Sequence, residues 1–78
     1  MSHYLAEANA PVPENIRRIV NKRGLKLKAV AAEAGYIPQR MADMLGGRKI
    51  IKPADVIALA AALKVPPGEL FKPTESEE

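Results

Sequence analysis

The chain has no cysteine and no tryptophan, and its 78 residues include one phenylalanine and one histidine. Without cysteine there is neither a disulfide framework nor a thiolate zinc site, and the reducing cytoplasm is the expected compartment. Nowhere do 18 apolar residues run together, so no membrane-spanning helix is expected, and Met1 to Ala10 lacks the basic region and long apolar core of a signal peptide. Catalytic groupings are missing too. The single histidine is His3, while Ser2, Thr74 and Ser76 stand in the terminal stretches; Asp43 and Asp55 have no second carboxylate or metal ligand at a useful spacing. Neither a nucleophile with its base nor a metal cage can be assembled, so no enzyme, metal site or cofactor is expected. No alternating strand pattern and no internal repeat is visible.

What is present is helical and basic. A chain of this length makes one domain and buries only about 60 to 65% of its unfolded surface, so its core must be compact and of one structural kind. Residues 1–12 are rich in alanine, end at Pro11-Val12-Pro13, and read as a flexible arm. The arm carries no lysine or arginine, which argues against insertion into a DNA minor groove.

A first helix is expected from about Pro13 to Arg23, with Glu14 near its positive end, Ile16, Ile19 and Val20 on one face, and Gly24 closing it. Leu27, Val30, Ala31 and Ala34 give a second, short helix ended by Gly35. Pro38 opens a third, with Met41, Met44 and Leu45 inward and Gln39, Arg40 and Asp43 outward. Two such helices joined at Gly35, with Ala31 four residues before it and Met41 six after, have the spacing of a helix-turn-helix. Gly46 and Gly47 break the pattern, and Pro53 starts a fourth helix whose buried side is expected to be Val56, Ile57, Leu59, Ala60 and Leu63. Of the loop residues Ile50 and Ile51, at least one is expected in the core. Pro66-Pro67-Gly68 turns into a last short helix in which Phe71 is expected to plug the base of the core. Residues 72–78 are polar and acidic and read as a disordered tail.

Charge separates by segment. From Ile16 to Lys52 ten basic residues stand against Glu33 and Asp43, a net of +8, although the whole chain carries only +3. A basic middle of this density implies a polyanionic partner, most simply nucleic acid.

Taken together, Asn15-Ile16-Arg17-Arg18-Ile19, Gly24-Leu25, Val30-Ala31, Gly35-Tyr36, Leu45-x-Gly47-Arg48-Lys49, Pro53, Ile57-Ala58-Leu59-Ala60-x-x-Leu63-x-Val65 and Glu69-Leu70-Phe71 resemble the lambda-repressor-like, Cro and XRE family of helix-turn-helix DNA-binding domains. The resemblance covers about residues 14 to 71 and implies an all-α, compact five-helix bundle, spanning residues 13–71, whose third helix lies in the major groove. It implies a sequence-specific regulator of transcription, a small repressor that binds double-stranded DNA as a homodimer. On this reading Gln39, Arg40 and Asp43 face the bases. Lys26 and Lys28 at the start of the second helix, and Arg48, Lys49 and Lys52 after the third, face phosphates.

The sequence departs from the family at Ile37, where a Ser or Thr cap is usual, and at Leu27, where a phosphate-contacting Gln is usual. These departures leave a second reading open: an antitoxin or adaptor that binds a protein partner through Leu27, Tyr36 and Ile37, with DNA binding secondary.

Overall fold

The structure is a computed structural model and describes residues 7–73. After the helical residues 7–9, four α-helices follow in order, α1 (Val12–Arg23), α2 (Leu27–Ala34), α3 (Pro38–Leu45) and α4 (Pro53–Leu63), and a 3-10 segment, Pro67–Phe71, closes the bundle. The fold is all-helical, and among the described residues there is no strand. α2 packs broadly on α4, and the 3-10 segment sits between α1 and α4.

Each helix contributes one apolar stripe to a single core. Ile16, Met44, Leu59, Leu63 and Leu70 are fully buried there, at 0 to 1% exposure. Burial of a side chain of this size is worth about 1.5 to 3 kcal/mol. Ala31, fully buried on α2, is small enough to let α2 lie close to its neighbours.

All four helices end in one motif. In α1 the N–H groups of Leu25 and Gly24 donate to the carbonyls of Val20 and Asn21; Tyr36 and Gly35 do the same for α2, and Val65 and Lys64 for α4. In α3 the donors are Arg48, to Asp43 O at 2.8 Å, and Gly47, to Met44 O at 3.4 Å. This paired closure requires one residue in the left-handed region. Glycine supplies it at Gly24, Gly35 and Gly47, but in α4 the position is Lys64, with φ of 60°.

Three expectations need correction. Residues 7–9 are helical, and Asn9, placed in the flexible arm by the sequence, is 3% exposed. Its amide donates to Met44 O (3.1 Å) and Lys49 O (2.8 Å), and its carbonyl accepts from Ile51 N–H at 2.8 Å. One asparagine side chain thus satisfies three backbone groups around the α3–α4 loop, a role that an alanine-rich context does not announce. Residues 1–6, the rest of the expected arm, lie outside the described residues, as do residues 74–78 of the tail.

Ile57 is 61% exposed, not part of the buried side of α4. That helix is apolar all round except at Asp55, so periodicity alone could not orient it; packing selects Val56, Leu59, Ala60 and Leu63. Phe71 is 54% exposed, and Leu70 plugs the core instead. The two residues are adjacent in a tight turn and cannot both point inward. Ile51 packs against the core while Ile50 stays exposed.

Candidate nucleic-acid interface

α2 and α3 form a helix-turn-helix around Gly35, whose φ of 91° turns the chain from one helix into the next. Neither helix has a side-chain N-cap: Lys26 precedes α2 and Ile37 precedes α3. Their first-turn amides therefore face outward without an internal side-chain partner, which leaves the positive ends of both helix dipoles available to anions.

Gln39 occupies the first turn of α3 and is exposed. Its Nε2 donates to Asp43 Oδ1 at 3.0 Å, the i to i+4 pairing of one helix face. Asp43 does not pair with Arg40 three residues away. Its partner is Arg48, whose Nε donates to the same Oδ1 at 3.0 Å from the loop beyond α3. The hydrogen bonds from Arg48 and then Gln39 hold the Asp43 carboxyl below its ordinary range.

Arg40 turns away from this set. Its guanidinium lies 5.6 Å from the centre of the Tyr36 ring and 3.9 Å from Asp55 Oδ1, and its Nε is buried without a hydrogen-bond partner. The arginine is thus held by an aromatic face and a carboxylate on α4. The Tyr36 hydroxyl donates to the same Asp55 oxygen, and Asp55 Oδ2 accepts the Lys52 N–H at 2.9 Å, capping α4. Burial pushes the Asp55 carboxyl up, but the Tyr36 hydroxyl, the Lys52 N–H, Arg40 and the Lys52 charge outweigh it, and the net direction is down. Burial, with Asp55 beside it, pushes the Tyr36 phenol up to about 12.

The remaining cations are exposed. Lys26 and Lys28 stand at the start of α2, and Arg48, Lys49 and Lys52 follow α3. With Arg40 and Ile50, the last three line an open recess of about 330 Å³ between the end of α3 and the start of α4. A recess with four cationic walls is suited to an anionic group of phosphate size.

Of the apolar set at the turn, only Ile37 stands well out, at 68% exposure; Leu27 and Tyr36 are half-buried and pack on the core. No group of three or more His, Cys, Asp or Glu side chains that could hold a metal ion occurs among the described residues. No described helix is long and apolar enough to cross a membrane. Sequence reasoning missed Tyr36 and Asp55 as a pair; the signal available was an acidic residue two positions after Pro53, where a carboxylate reaches back to cap a helix.

A family model described as a helix-turn-helix domain matches residues 14–71. No curated protein and no solved structure matches the chain. The matched span contains α2, the Gly35 turn, α3 and the basic loop behind them, and extends through the closing 3-10 segment. By that match, and by a bundle whose second and third helices meet as the motif requires, the chain belongs to the helix-turn-helix domain family.

Proposed function

We propose that this domain is a sequence-specific regulator of transcription that binds double-stranded DNA, a small cytoplasmic repressor that inserts α3 into the major groove and acts as a homodimer. Membership of the helix-turn-helix family supports DNA binding in general. The specific reading is carried by Gln39, an exposed amide in the first turn of α3 with Lys26 and Lys28 before it in the chain and Arg48, Lys49 and Lys52 after it. A glutamine there has the donor and acceptor needed for adenine N7 and N6. The lysines and Arg48 neutralise phosphates and set affinity and register, not sequence. Ile37, beside Gln39 at the mouth of the helix, suits the methyl group of a thymine. Arg40, expected among the readers, lies over the Tyr36 ring beside Asp55 and borders the basic recess, a place that suits a phosphate contact.

A single short helix makes few base contacts, and two half-sites about 34 Å apart require two copies related by a two-fold axis. The outer face of α4 supports pairing. Its exposed positions are Ala54, Ile57 and Ala61, with Ala58 half-buried beside them, and none carries a charge. Ile57 and Phe71 flank a recess of about 370 Å³ lined by alanine, proline and aliphatic side chains with Asn9. A helix apolar on all sides is normally covered, and small residues allow a second helix to approach.

Selection of duplexes from a randomised library at about 150 mM salt tests the reading, with the winners titrated against salt. A two-fold symmetric motif, bound with a log-log slope of several units, is the expected result. Binding with no sequence preference would remove the regulator. It would favour the adaptor or antitoxin alternative, for which the exposure of Ile37 is the supporting observation.

A further inference from the structure

Two donors, one on α3 and one in the loop after it, converge on one oxygen. Asp43 Oδ1 accepts from Gln39 Nε2 at 3.0 Å and from Arg48 Nε at 3.0 Å. Arg48 reaches it because the Gly46-Gly47 turn folds the loop back over the helix, the N–H groups of Arg48 and Lys49 both donating to Asp43 O at 2.8 and 3.1 Å. Gly46 leaves the room the guanidinium takes: a Cβ there would lie 3.1 Å from Arg48 Nη1 and 3.1 Å from Ala42 O.

This convergence constrains what each partner has left to offer. With one Nε2 proton committed to Asp43, Gln39 keeps one N–H and its Oε1, the donor and acceptor that pair with adenine. With Nε committed, Arg48 keeps the two terminal nitrogens of its fork, the set that grips guanine or a phosphate bidentately. A carboxylate facing a polyanion is unfavourable by itself, and here it is matched by the Arg48 charge.

The geometry points to Asp43 as a positioning residue for base selection, one that reads no base itself but fixes the Gln39 amide and the Arg48 fork in the orientations they present to DNA. The inference rests on the DNA-reading function proposed above. It makes a prediction opposite in sign to the effect of a merely repulsive charge. Removing the carboxylate should leave affinity for random duplex equal or higher, while affinity for the selected site falls.

The test measures selected and random duplexes with the wild type, Asp43→Ala and Asp43→Asn, over a salt series. Asp43→Ala is expected to reduce the ratio of selected to random affinity by about tenfold. Asp43→Asn, which keeps an oxygen acceptor without the charge, is expected to restore most of that ratio, though it too loses the charge. A gain of equal size on both duplexes for Asp43→Ala would overturn the inference, since a simple repulsive charge behaves that way. Wild type that selects no sequence would remove the DNA-reading function and this role with it. The latch is read separately in the free protein from the Gln39 side-chain amide resonances. They should move when Asp43 is protonated and in Asp43→Ala; resonances unchanged in both would overturn the latch whatever the DNA results.

Discussion

The Tyr36 hydroxyl donates to Asp55, so the residue just after the Gly35 turn is tied to the first turn of α4. The same carboxylate caps α4 through the Lys52 N–H and draws in Arg40 from α3. A single half-polar cluster thereby adds a polar tie to the broad apolar packing of α2 on α4. Replacing Asp55 with alanine leaves the Tyr36 hydroxyl and Arg40 without their acceptor and removes the cap, at a cost of about 1 to 3 kcal/mol. Urea unfolding of Asp55→Ala, with Tyr36→Phe as the milder companion at about 1 kcal/mol, measures it. An unchanged midpoint in both would mean the cluster is ornamental.

The two pKa shifts in this cluster give opposite pH limits. The folded Asp55 carboxyl lies below its unfolded value of about 3.9. Its contribution is therefore complete above that value and lost as pH falls through the lower folded one. Tyr36 is shifted upward, so its contribution is complete below the unfolded value of about 10 and is lost as pH rises through about 12. In a Tyr4→Phe background, absorbance of the single remaining phenolate reports Tyr36 directly. Ionisation near pH 10 would contradict the buried, Asp55-bonded hydroxyl.

Lys64 occupies the one helix-ending position where a side chain sits at positive φ. Glycine fills the equivalent place after α1, α2 and α3. Lys64→Gly should therefore stabilise the fold by up to about 1 kcal/mol, because the left-handed conformation costs a Cβ-bearing residue roughly that much. A rise in the thermal midpoint is the expected reading, and a fall would show that the lysine stem makes up the difference.

Asn9 holds the loop between α3 and α4 from outside the family-matched span. Asn9→Ala strands the Ile51 N–H and the Lys49 carbonyl and leaves Met44 O with only the 3.4 Å bond from Gly47 N–H, at about 1 to 3 kcal/mol. Hydrogen exchange at Ile51 should accelerate in the variant. Unaltered exchange there would show that Asn9 does not hold this loop in solution.

On DNA, Gln39→Ala and Lys49→Ala should differ in kind. Loss of Gln39 is expected to cost about 1 to 3 kcal/mol on the selected site and to relax choice at one base pair. Loss of Lys49 should weaken all duplexes alike and reduce the salt slope by about one unit. Equal losses on selected and random DNA for Gln39→Ala would end its assignment as reader. Ile57→Glu should leave the protein folded but lower the sedimentation-determined dimer fraction; an unaltered fraction would exclude the α4 face as the pairing surface.

The sequence by itself determined the helices and the motif. Proline openings at Pro38 and Pro53, glycine closures at Gly24 and Gly35, and apolar residues at helical spacing are local signals, and each acts within one or two turns of where it stands. The basic middle was equally legible, since counting charges needs no coordinates. Gln39 could be placed outward for the same reason: Met41, Met44 and Leu45 fix the inward face of α3, and position 39 lies off it.

Only the tertiary structure decided what depends on two distant segments meeting. The Tyr36–Asp55 bond spans 19 residues and the Asn9–Lys49 bond spans 40, and no periodicity records either. Arg40 lies over the ring of Tyr36, four residues before it, and 3.9 Å from Asp55 on α4, and the second of these neighbours depends on how α3 meets α4. Arg48 moved onto α3 because a two-glycine turn folded it back. Ile57 came to the surface because α4 is apolar on nearly every side, and a helix with no polar face takes its orientation from what packs against it; Phe71 did so because its neighbour Leu70 fills the core.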